Sequence, residues 1–293
     1  MGHDFTNRRT LADKRALVAY NSPMQRVEAC DYPAWHPPVD VRLVTTPEHP
    51  CAYLPDRMAR TRAFLADRMP AELYRQFMDA GFRRSGRVVY QPVCSGCRRC
   101  LPLRLPVDAF APSKTQRRIW RRNQDLRITQ VTPRPSAEKF ALYTRYQRDW
   151  HDGAMLGDWD DFVQFLYDAP VPGVELEYRT ADDRLIGVGV CDISASSLSS
   201  VYFYFDPAES MRSLGTFGVL CEIDLARRLG ISHYYLGYWV AGCRQMEYKA
   251  SFWPHEVLEP DGVWRPADWE NRKNSATSTH LTLDGKNSCD SKT

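Results

Sequence analysis

The chain has 293 residues, 43% of them hydrophobic and 12% aromatic, so it can bury a core and is not an intrinsically disordered protein. This length suits two modest domains better than one. No apolar run approaches the roughly 18 residues that a membrane span needs, and the first residues lack the apolar stretch of a secretory signal. The nine cysteines are therefore expected to be reduced thiols of a cytoplasmic protein.

The net charge is only +3, but it is unevenly distributed along the chain. Between Arg57 and Arg122, 16 Lys and Arg residues stand against 4 Asp and Glu residues, a balance of +12, so the remainder carries −9. Acidic residues would interleave with the basic ones if these formed ion pairs along a solvated helix, and here they hardly do. The block predicts a surface that binds a polyanion, and nucleic acid is the favoured ligand.

The first half shows an irregular stretch followed by a basic, cysteine-containing domain. Residues 1–50 have no clear periodicity and predict an irregular extension, and residues 51–130 form the predicted domain. Helices are expected over 56–69, over 70–81 between Pro70 and Gly81, and over the basic stretch 113–126. Short strands are expected on both sides of the cysteines and again near residue 127.

The second half, residues 131–273, predicts a layer of strands and helices. A helix capped by Ser136 and an acidic helix near residue 160 precede three strands that have turn residues between them. A helix that ends at Gly230 then leads to a fourth strand. Strands in an antiparallel meander followed by strand, helix and strand indicate an α+β fold. The polar tail 274–293 is expected to be disordered.

Three thiols stand at a spacing that suits a metal ion. Cys94, Cys97 and Cys100 form a C-x-x-C-x-x-C run, and Cys51 is the natural candidate for a fourth ligand. Four thiolates could hold a structural zinc ion or an iron–sulfur cluster. The alternative is a set of thiols that merely pack in a tight turn.

The basic stretch near residue 118 predicts a helix that contacts RNA. Its cations lie three or four residues apart and therefore share one flank, which suits a phosphate backbone, and Trp120 could stack on an unpaired base. The alternative is a solvated helix face. The cations are Lys114, Arg117, Arg118, Arg121 and Arg122.

The segment "MRSLGTFG" lies between a predicted strand and a predicted helix. An Arg-x-x-Gly turn at a helix N-terminus can hold an anion. Acetyltransferases hold the pyrophosphate of coenzyme A with such a turn, but Phe217 stands where they have Gly or Ala. An ordinary loop explains the segment equally well.

Several segments together resemble the arginyl-tRNA–protein transferase family. They are "CAYLPDRMAR", "GFRRSGRVVYQPVCSGCRRCLPLRLPVDAFAPSKTQRR", "SSVYFYFDP", "SLGTFGVLCEIDLA" and "YYLGYWVAGCRQMEYKASFWPHEVL", which run in order from about residue 50 to about residue 260. The thiol run and the length resemble the bacterial aspartate/glutamate leucyltransferase type. The resemblance implies an acetyltransferase-like (GNAT-type) C-terminal half, and an association of Cys51, Cys94 and their neighbours with zinc or iron–sulfur.

The resemblance also implies the activity. Family members move an amino acid from its tRNA to the N-terminal amine of an acceptor protein and mark that protein for degradation. We expect leucyl-tRNA as donor, acceptors that begin with Asp or Glu, no cofactor in the chemistry and a monomeric enzyme without membrane contact. The alternatives are arginyl transfer, a coenzyme A-dependent acetyltransferase and a non-enzymatic RNA-binding protein.

The chemistry assigns provisional roles. Asp192 is expected to orient or deprotonate the amine, with a turn aspartate as its alternative, and the hydroxyls of Tyr202 and Tyr204 are expected to line one face, unless they pack in the core. An acidic acceptor residue demands a cation. The candidates for it are Arg83, Arg84, Arg104 and Lys249. The residues expected to face the tRNA 3′ end are Arg212, Gly215 and Thr216, and those expected to close the pocket are Tyr238, Met246 and Lys249.

Overall fold

A computed structural model describes residues 25–26, 40–151, 153 and 156–267. Its helices are α1 Ala71–Asp79, α2 Lys114–Arg122, α3 Ala137–Trp150, α4 Trp159–Leu166, α5 Leu214–Arg228 and α6 Arg244–Glu247, with 3₁₀ turns at Pro207–Arg212 and Tyr248–Ser251. Its strands are β1 Gln25–Arg26, β2 Asp40–Val41, β3 Val44–Thr45, β4 His49–Pro50, β5 Met58–Ala59, β6 Thr61–Leu65, β7 Arg83–Ser85, β8 Val88–Pro92, β9 Cys100–Pro106, β10 Arg127–Val131, β11 Gly173–Arg179, β12 Leu185–Ile193, β13 Ser197–Phe205, β14 His233–Val240, β15 Glu256–Leu258 and β16 Trp264–Pro266.

A small four-stranded sheet, in the order β3-β6-β8-β7, forms the first unit with α1. Phe64 of β6 contacts Phe77 of α1 and Phe82, with ring centroids 4.8 and 6.2 Å apart, and these rings are buried. The predicted helix over 56–69 is wrong, because this stretch forms β5 and β6. Its buried Ala63 and Phe64 pair with β8 and pack under α1, so tertiary burial overrides the helical spacing of its apolar residues.

An eight-stranded sheet, in the order β10-β11-β12-β13-β14-β9-β15-β16, forms the main unit. The neighbouring strands are antiparallel except for β13 and β14, which are parallel and are joined by α5. The helix α5 buries Phe217 and Leu225 against this sheet. The predicted α+β class is confirmed, as is the predicted order of the C-terminal half, a meander followed by strand, helix and strand.

The main sheet includes a strand from the first half of the chain. Strand β9 lies between β14 and β15, and its Leu103 and Leu105 belong to the main core. The sheet unit therefore begins at Cys100, about thirty residues before the boundary placed at residue 130. The cysteine run leads directly into this strand, so the thiols lie where the two units meet.

The remaining expectations concern the two ends. The extension 1–50 lies outside the described residues except for 25–26 and 40–50, which contribute short strand pairs, and the tail 274–293 lies entirely outside them. Within the described residues, no helix is both long enough and apolar enough to cross a membrane.

Candidate functional site

The parallel strands β13 and β14 separate after a short paired stretch. Ser197–Ser199 pair with His233–Tyr235, and no further pairs join the two strands among the described residues. Beyond that point, backbone carbonyls that would bond to a neighbouring strand need other donors. Arg83 Nη2 donates to the Ser200 carbonyl at 2.7 Å, and Lys249 Nζ donates to the Tyr238 carbonyl at 2.9 Å. Two cations therefore occupy the gap between the strands.

Arg83 and Lys249 lie side by side and are buried, with 8% and 9% of their surface exposed. A Cβ atom on Gly237 would lie 3.3 Å from Lys249 Nζ and 3.8 Å from Arg83 Nη2, and Gly237 has a φ of +87° that favours glycine. Within the described part of the chain, neither cation forms an ion pair. Burial, and then the charge of Arg83, lowers the pKa of Lys249 to about 7. The gap is thus a site that lacks a negative charge.

Asp192 and Arg84, by contrast, neutralise each other. Arg84 Nε lies 2.7 Å from Asp192 Oδ2, and Arg84 Nη2 lies 2.5 Å from Asp192 Oδ1, with both side chains at most 2% exposed. The two oxygens of Asp192 therefore face a guanidinium rather than an open cleft. This geometry favours a structural contact, and the roles of Asp192 toward the amine and of Arg84 toward the substrate stay predictions.

Two other predicted substrate cations are also neutralised. Arg104 bonds to Asp79 and Glu256, at 2.8 Å each, and its guanidinium lies 4.3 Å from the centre of the Trp264 ring. Arg212 bonds to Asp125 at 2.8 and 2.9 Å and to Glu209 at 2.8 Å. Glu209 is three positions from Arg212, whereas Asp79, Glu256 and Asp125 are 25, 152 and 87 positions from the arginines that they contact. Arg104 and Arg212 are thus ion-pair partners, and their roles toward substrate stay predictions.

Of the two tyrosines of β13, Tyr204 lies in the core and Tyr202 is half-buried beside it. Tyr204 is fully buried and packs edge-on against Tyr143, with ring centroids 5.6 Å apart. The hydroxyl of Tyr202 accepts a bond from Gln147 at 2.7 Å, and burial raises the pKa of Tyr202 to about 12. The side chain of Tyr204 therefore packs in the core, and the catalytic roles of both tyrosines stay predictions. Tyr238 is likewise buried and donates from its hydroxyl to the Gly81 carbonyl at 2.7 Å, so only its backbone carbonyl reaches the gap.

The turn before α5 leaves a helix N-terminus without a side-chain cap. Ser213 adopts a left-handed conformation with φ of 57° and makes no capping bond, and a Cβ on Gly215 would meet nothing within 4 Å. Gly215 and the following Thr216 therefore begin α5 beside open space, as an anion site would require. Phe217 departs from the acetyltransferase motif because its ring is fully buried against Trp120 and Tyr178.

The basic helix α2 keeps its cations free of carboxylates. Ser113 caps it in a capping box with Gln116, and Ile119 is buried beneath it. Arg117 Nη1 donates to the Pro112 carbonyl at 2.6 Å, and Arg122 donates to the Met211 carbonyl beside the start of α5. Among the residues that the structure describes, none of the five cations of α2 forms an ion pair. Part of the predicted polyanion-binding surface therefore retains its charge in the fold.

The four predicted metal ligands come together near β9. Tyr53 N donates to Cys51 Sγ and Arg60 N donates to Cys94 Sγ, at 3.4 Å each. Burial and the nearby thiols of Cys51, Cys94 and Cys97 raise the pKa of Cys100 to about 12. A fifth thiol, Cys243, also contributes to this shift, and reasoning from the sequence missed it. In the described residues, no group of three or more His, Cys, Asp or Glu side chains is arranged to hold a metal ion, so the metal site stays a prediction.

Sequence reasoning also missed a carboxyl group beneath the sheet. Glu222 of α5 is fully buried, accepts a bond from Tyr234 and leaves its Oε1 without a hydrogen-bond partner. Burial raises its pKa to about 7. Gly189 leaves room for it, since a Cβ there would lie 2.9 Å from that oxygen. A charged residue on the apolar face of a helix was the only available signal.

Comparison with known proteins identifies the relatives of this chain. Residues 49–118 match the family described as "Arginine-tRNA-protein transferase, N terminus", and residues 138–259 match "Arginine-tRNA-protein transferase, C terminus". Among solved structures, a FemX structure aligns with a TM-score of 0.45 and 9% identity over 69% of this chain and 70% of that one.

Curated relatives match over most of their length. The aspartate/glutamate leucyltransferase of Chromobacterium violaceum is 39% identical over 77% of this chain and 93% of its own. The proteins of the same name from Gluconobacter oxydans and Stenotrophomonas maltophilia are 41% and 42% identical, each over 75% of this chain and over 92% and 91% of their own. The chain therefore belongs to the arginyl-tRNA–protein transferase family, as a member of its bacterial aspartate/glutamate leucyltransferase type.

Proposed function

We propose that the protein transfers leucine from leucyl-tRNA to the N-terminal Asp or Glu of acceptor proteins, which marks them for degradation. The names of its relatives support this activity. The observation that carries the proposal is the pair of buried cations, Arg83 and Lys249, which have no carboxylate partner among the described residues. A carboxylate from the acceptor would supply the missing negative charge through charge-assisted hydrogen bonds.

The reaction asks little of the protein beyond positioning. The ester of leucyl-tRNA is already activated, and the acceptor α-amine has a pKa of about 7.7–8, so part of it is neutral at pH 7. The amine nitrogen attacks the ester carbon, the amide bond forms, and the tRNA 3′-hydroxyl leaves with the proton. Holding the acceptor carboxylate at Arg83 and Lys249 would restrict the position of the α-amine, which is joined to that carboxyl group through a short side chain, and this favours attack.

The RNA half of the proposal relies on helix α2. Its cations, which lack ion pairs among the described residues, would contact phosphates, and its C-terminal end reaches the uncapped start of α5 through Arg122. The phosphate surface therefore lies in the main unit with Lys249, and Arg83 reaches the carboxylate site from β7 of the first unit. We propose a cytoplasmic enzyme, in keeping with the seven described cysteines, all of which are free.

A transfer assay with labelled aminoacyl-tRNA tests the proposal. Labelled leucine should appear on peptides that begin with Asp or Glu and not on those that begin with Asn or Ala, whereas label from arginyl-tRNA would assign the other donor. Lys249→Met should reduce transfer to Asp and Glu peptides by about 30-fold or more, because it removes one member of a buried charged contact. Arg265→Met is the control, because Arg265 is an exposed cation that pairs with Asp261 at the surface.

Two results would contradict this assignment. Transfer to Asn and Asp peptides at equal rates would show that no carboxylate is read. An unchanged rate in Lys249→Met would exclude the gap between β13 and β14 as the acceptor site.

We also propose that Cys51, Cys94, Cys97 and Cys100 hold a structural zinc ion or iron–sulfur cluster. Burial and the neighbouring thiols raise the pKa of Cys100, so it would lose its proton readily only next to a cation, which a metal would provide. Elemental analysis should find one metal site per chain and protected thiols. Absence of zinc and iron, with every thiol titratable, would reject the proposal, whatever the enzymatic activity.

A further inference from the structure

A cavity of about 300 Å³ lies between the basic helix α2 and helix α5. This volume is at the lower end of the roughly 300–1,000 Å³ typical of small-ligand sites. Trp120 and Phe110 line it on one side, and Leu220 and Ile223 of α5 line the other. The floor is therefore apolar and in part aromatic, and it includes Trp120, the residue expected to stack on an unpaired base.

The rim of the cavity is cationic. Arg117, Arg121 and Arg227 line it together with a single carboxylate, Asp224, which already pairs with Arg228 at 3.0 Å. Arg227 is fixed by bonds to the carbonyls of Val107 and Phe110, at 3.1 and 2.9 Å. Arg121 is exposed, and none of the ion pairs within the described residues includes it. Aromatic walls beneath several cations suit a ligand that joins a flat ring to a negatively charged group.

The cavity adjoins the segment that carries Lys249. Gln116 of α2 is buried and donates to the Ser251 carbonyl at 3.1 Å, and Phe110 contacts Phe252, with ring centroids 6.2 Å apart. Ser251 and Phe252 follow Lys249 by two and three residues. A ligand in the cavity would therefore lie next to the turn that positions the acceptor site.

We propose that the cavity binds one unpaired nucleotide of the tRNA 3′ end, with its base against Trp120 and its phosphate at Arg121. Arg118 and the other exposed cations of α2 continue beyond the rim, so they would hold the neighbouring phosphates of a strand rather than a free nucleotide. This inference rests on the proposed function, because it takes tRNA to be the donor.

Binding of uncharged tRNA tests the inference at a fixed salt concentration, with an intact RNA and one that lacks its unpaired 3′ nucleotides. Truncation should weaken binding to the unaltered protein by about tenfold, within the range of one stacked base. Arg121→Ala should weaken binding of the intact RNA and reduce this truncation effect. Arg118 lies on the same helix but outside the cavity. Arg118→Ala should therefore weaken the binding of both RNAs and leave the truncation effect unchanged. Trp120→Phe, which keeps a ring, should retain most of the effect.

The outcomes separate the two proposals. An equal truncation effect in Arg121→Ala and Arg118→Ala overturns the cavity inference, while leucine transfer by the same preparation would leave the proposed function intact. Failure of the unaltered protein to bind either RNA overturns both. A third outcome would be that adenosine or cytidine monophosphate binds to the unaltered protein but not to Arg121→Ala, while RNA truncation has no effect on binding. This outcome would assign the cavity to free nucleotides and reject the RNA inference.

Discussion

Replacing Asp192 with Asn tests whether the Arg84–Asp192 contact maintains the fold or serves the chemistry. The guanidinium and the carboxylate are at most 2% exposed, and three nitrogen–oxygen distances lie between 2.5 and 2.9 Å. Burial alone would lower the pKa of Arg84, yet Asp192 raises it above its usual value. Asp192→Asn therefore leaves a buried guanidinium without its counter-charge, which costs about 3–5 kcal/mol. That is a large part of a typical stability of about 5–15 kcal/mol.

Urea unfolding measures the effect. With a denaturant slope near the upper end of the usual range, about 3 kcal/mol/M, as suits a chain of this size, the loss corresponds to a midpoint lower by on the order of 1–2 M. Asp183→Asn is a matched control, because Asp183 pairs with Arg127 on the surface at 69% and 62% exposure. Removing such a pair should change stability by about 0–1 kcal/mol. The double variant Arg84→Met/Asp192→Leu should recover most of the midpoint, since an apolar pair of similar volume replaces a buried ion pair.

One result would refute this reasoning. If Asp192→Asn unfolds at the same urea concentration as the unaltered protein but no longer transfers leucine, the carboxylate acts in the reaction and the contact with Arg84 serves to orient it.

Three further predictions concern buried groups and helix glycines. The pKa of Lys249 is lowered to about 7, so above pH 7 the folded state holds fewer protons than the unfolded state. The stability of the fold, measured as the urea midpoint, should therefore rise from pH 7 toward pH 10. Lys249→Met should abolish this rise. The pKa of Glu222 is raised to about 7, so the stability of the fold should fall as the pH rises from about 4.5 to 7. Glu222→Gln should remove this fall and stabilise the protein at pH 8. An unchanged pH profile of stability in Glu222→Gln would place that carboxyl in water. Gly218→Ala should destabilise the protein by about 1–3 kcal/mol, because the new Cβ would lie 2.4 Å from the Phe203 ring. Gly215→Ala should be neutral or stabilising by up to about 1 kcal/mol, because its Cβ would meet open space. Equal thermal midpoints for the two variants would contradict the close contact between Gly218 and Phe203.

Local patterns predicted most helices and strands because their determinants are close in sequence. Ser113 and Ser136 cap their helices through bonds to residues three positions later, and Pro70 and Gly81 enclose α1. The stretch 56–69 failed because its apolar spacing fits a helix, while pairing with β8, some thirty residues away, decides its conformation. Local reasoning has no access to that partner.

The sequence by itself determined the family, the α+β class, the basic character of α2 and the gathering of thiols near Cys100, since each depends on residue types in order along the chain. Only the tertiary structure decided which cations remain available. Arg84 is neutralised by a carboxylate 108 positions away, and carboxylates 152 and 87 positions away join nearer ones, Asp79 and Glu209, in neutralising Arg104 and Arg212. Arg83 and Lys249 meet instead in the gap between two strands. The physical reason is that charge adds along a chain regardless of order, whereas ion pairing depends on which elements pack together and exclude water.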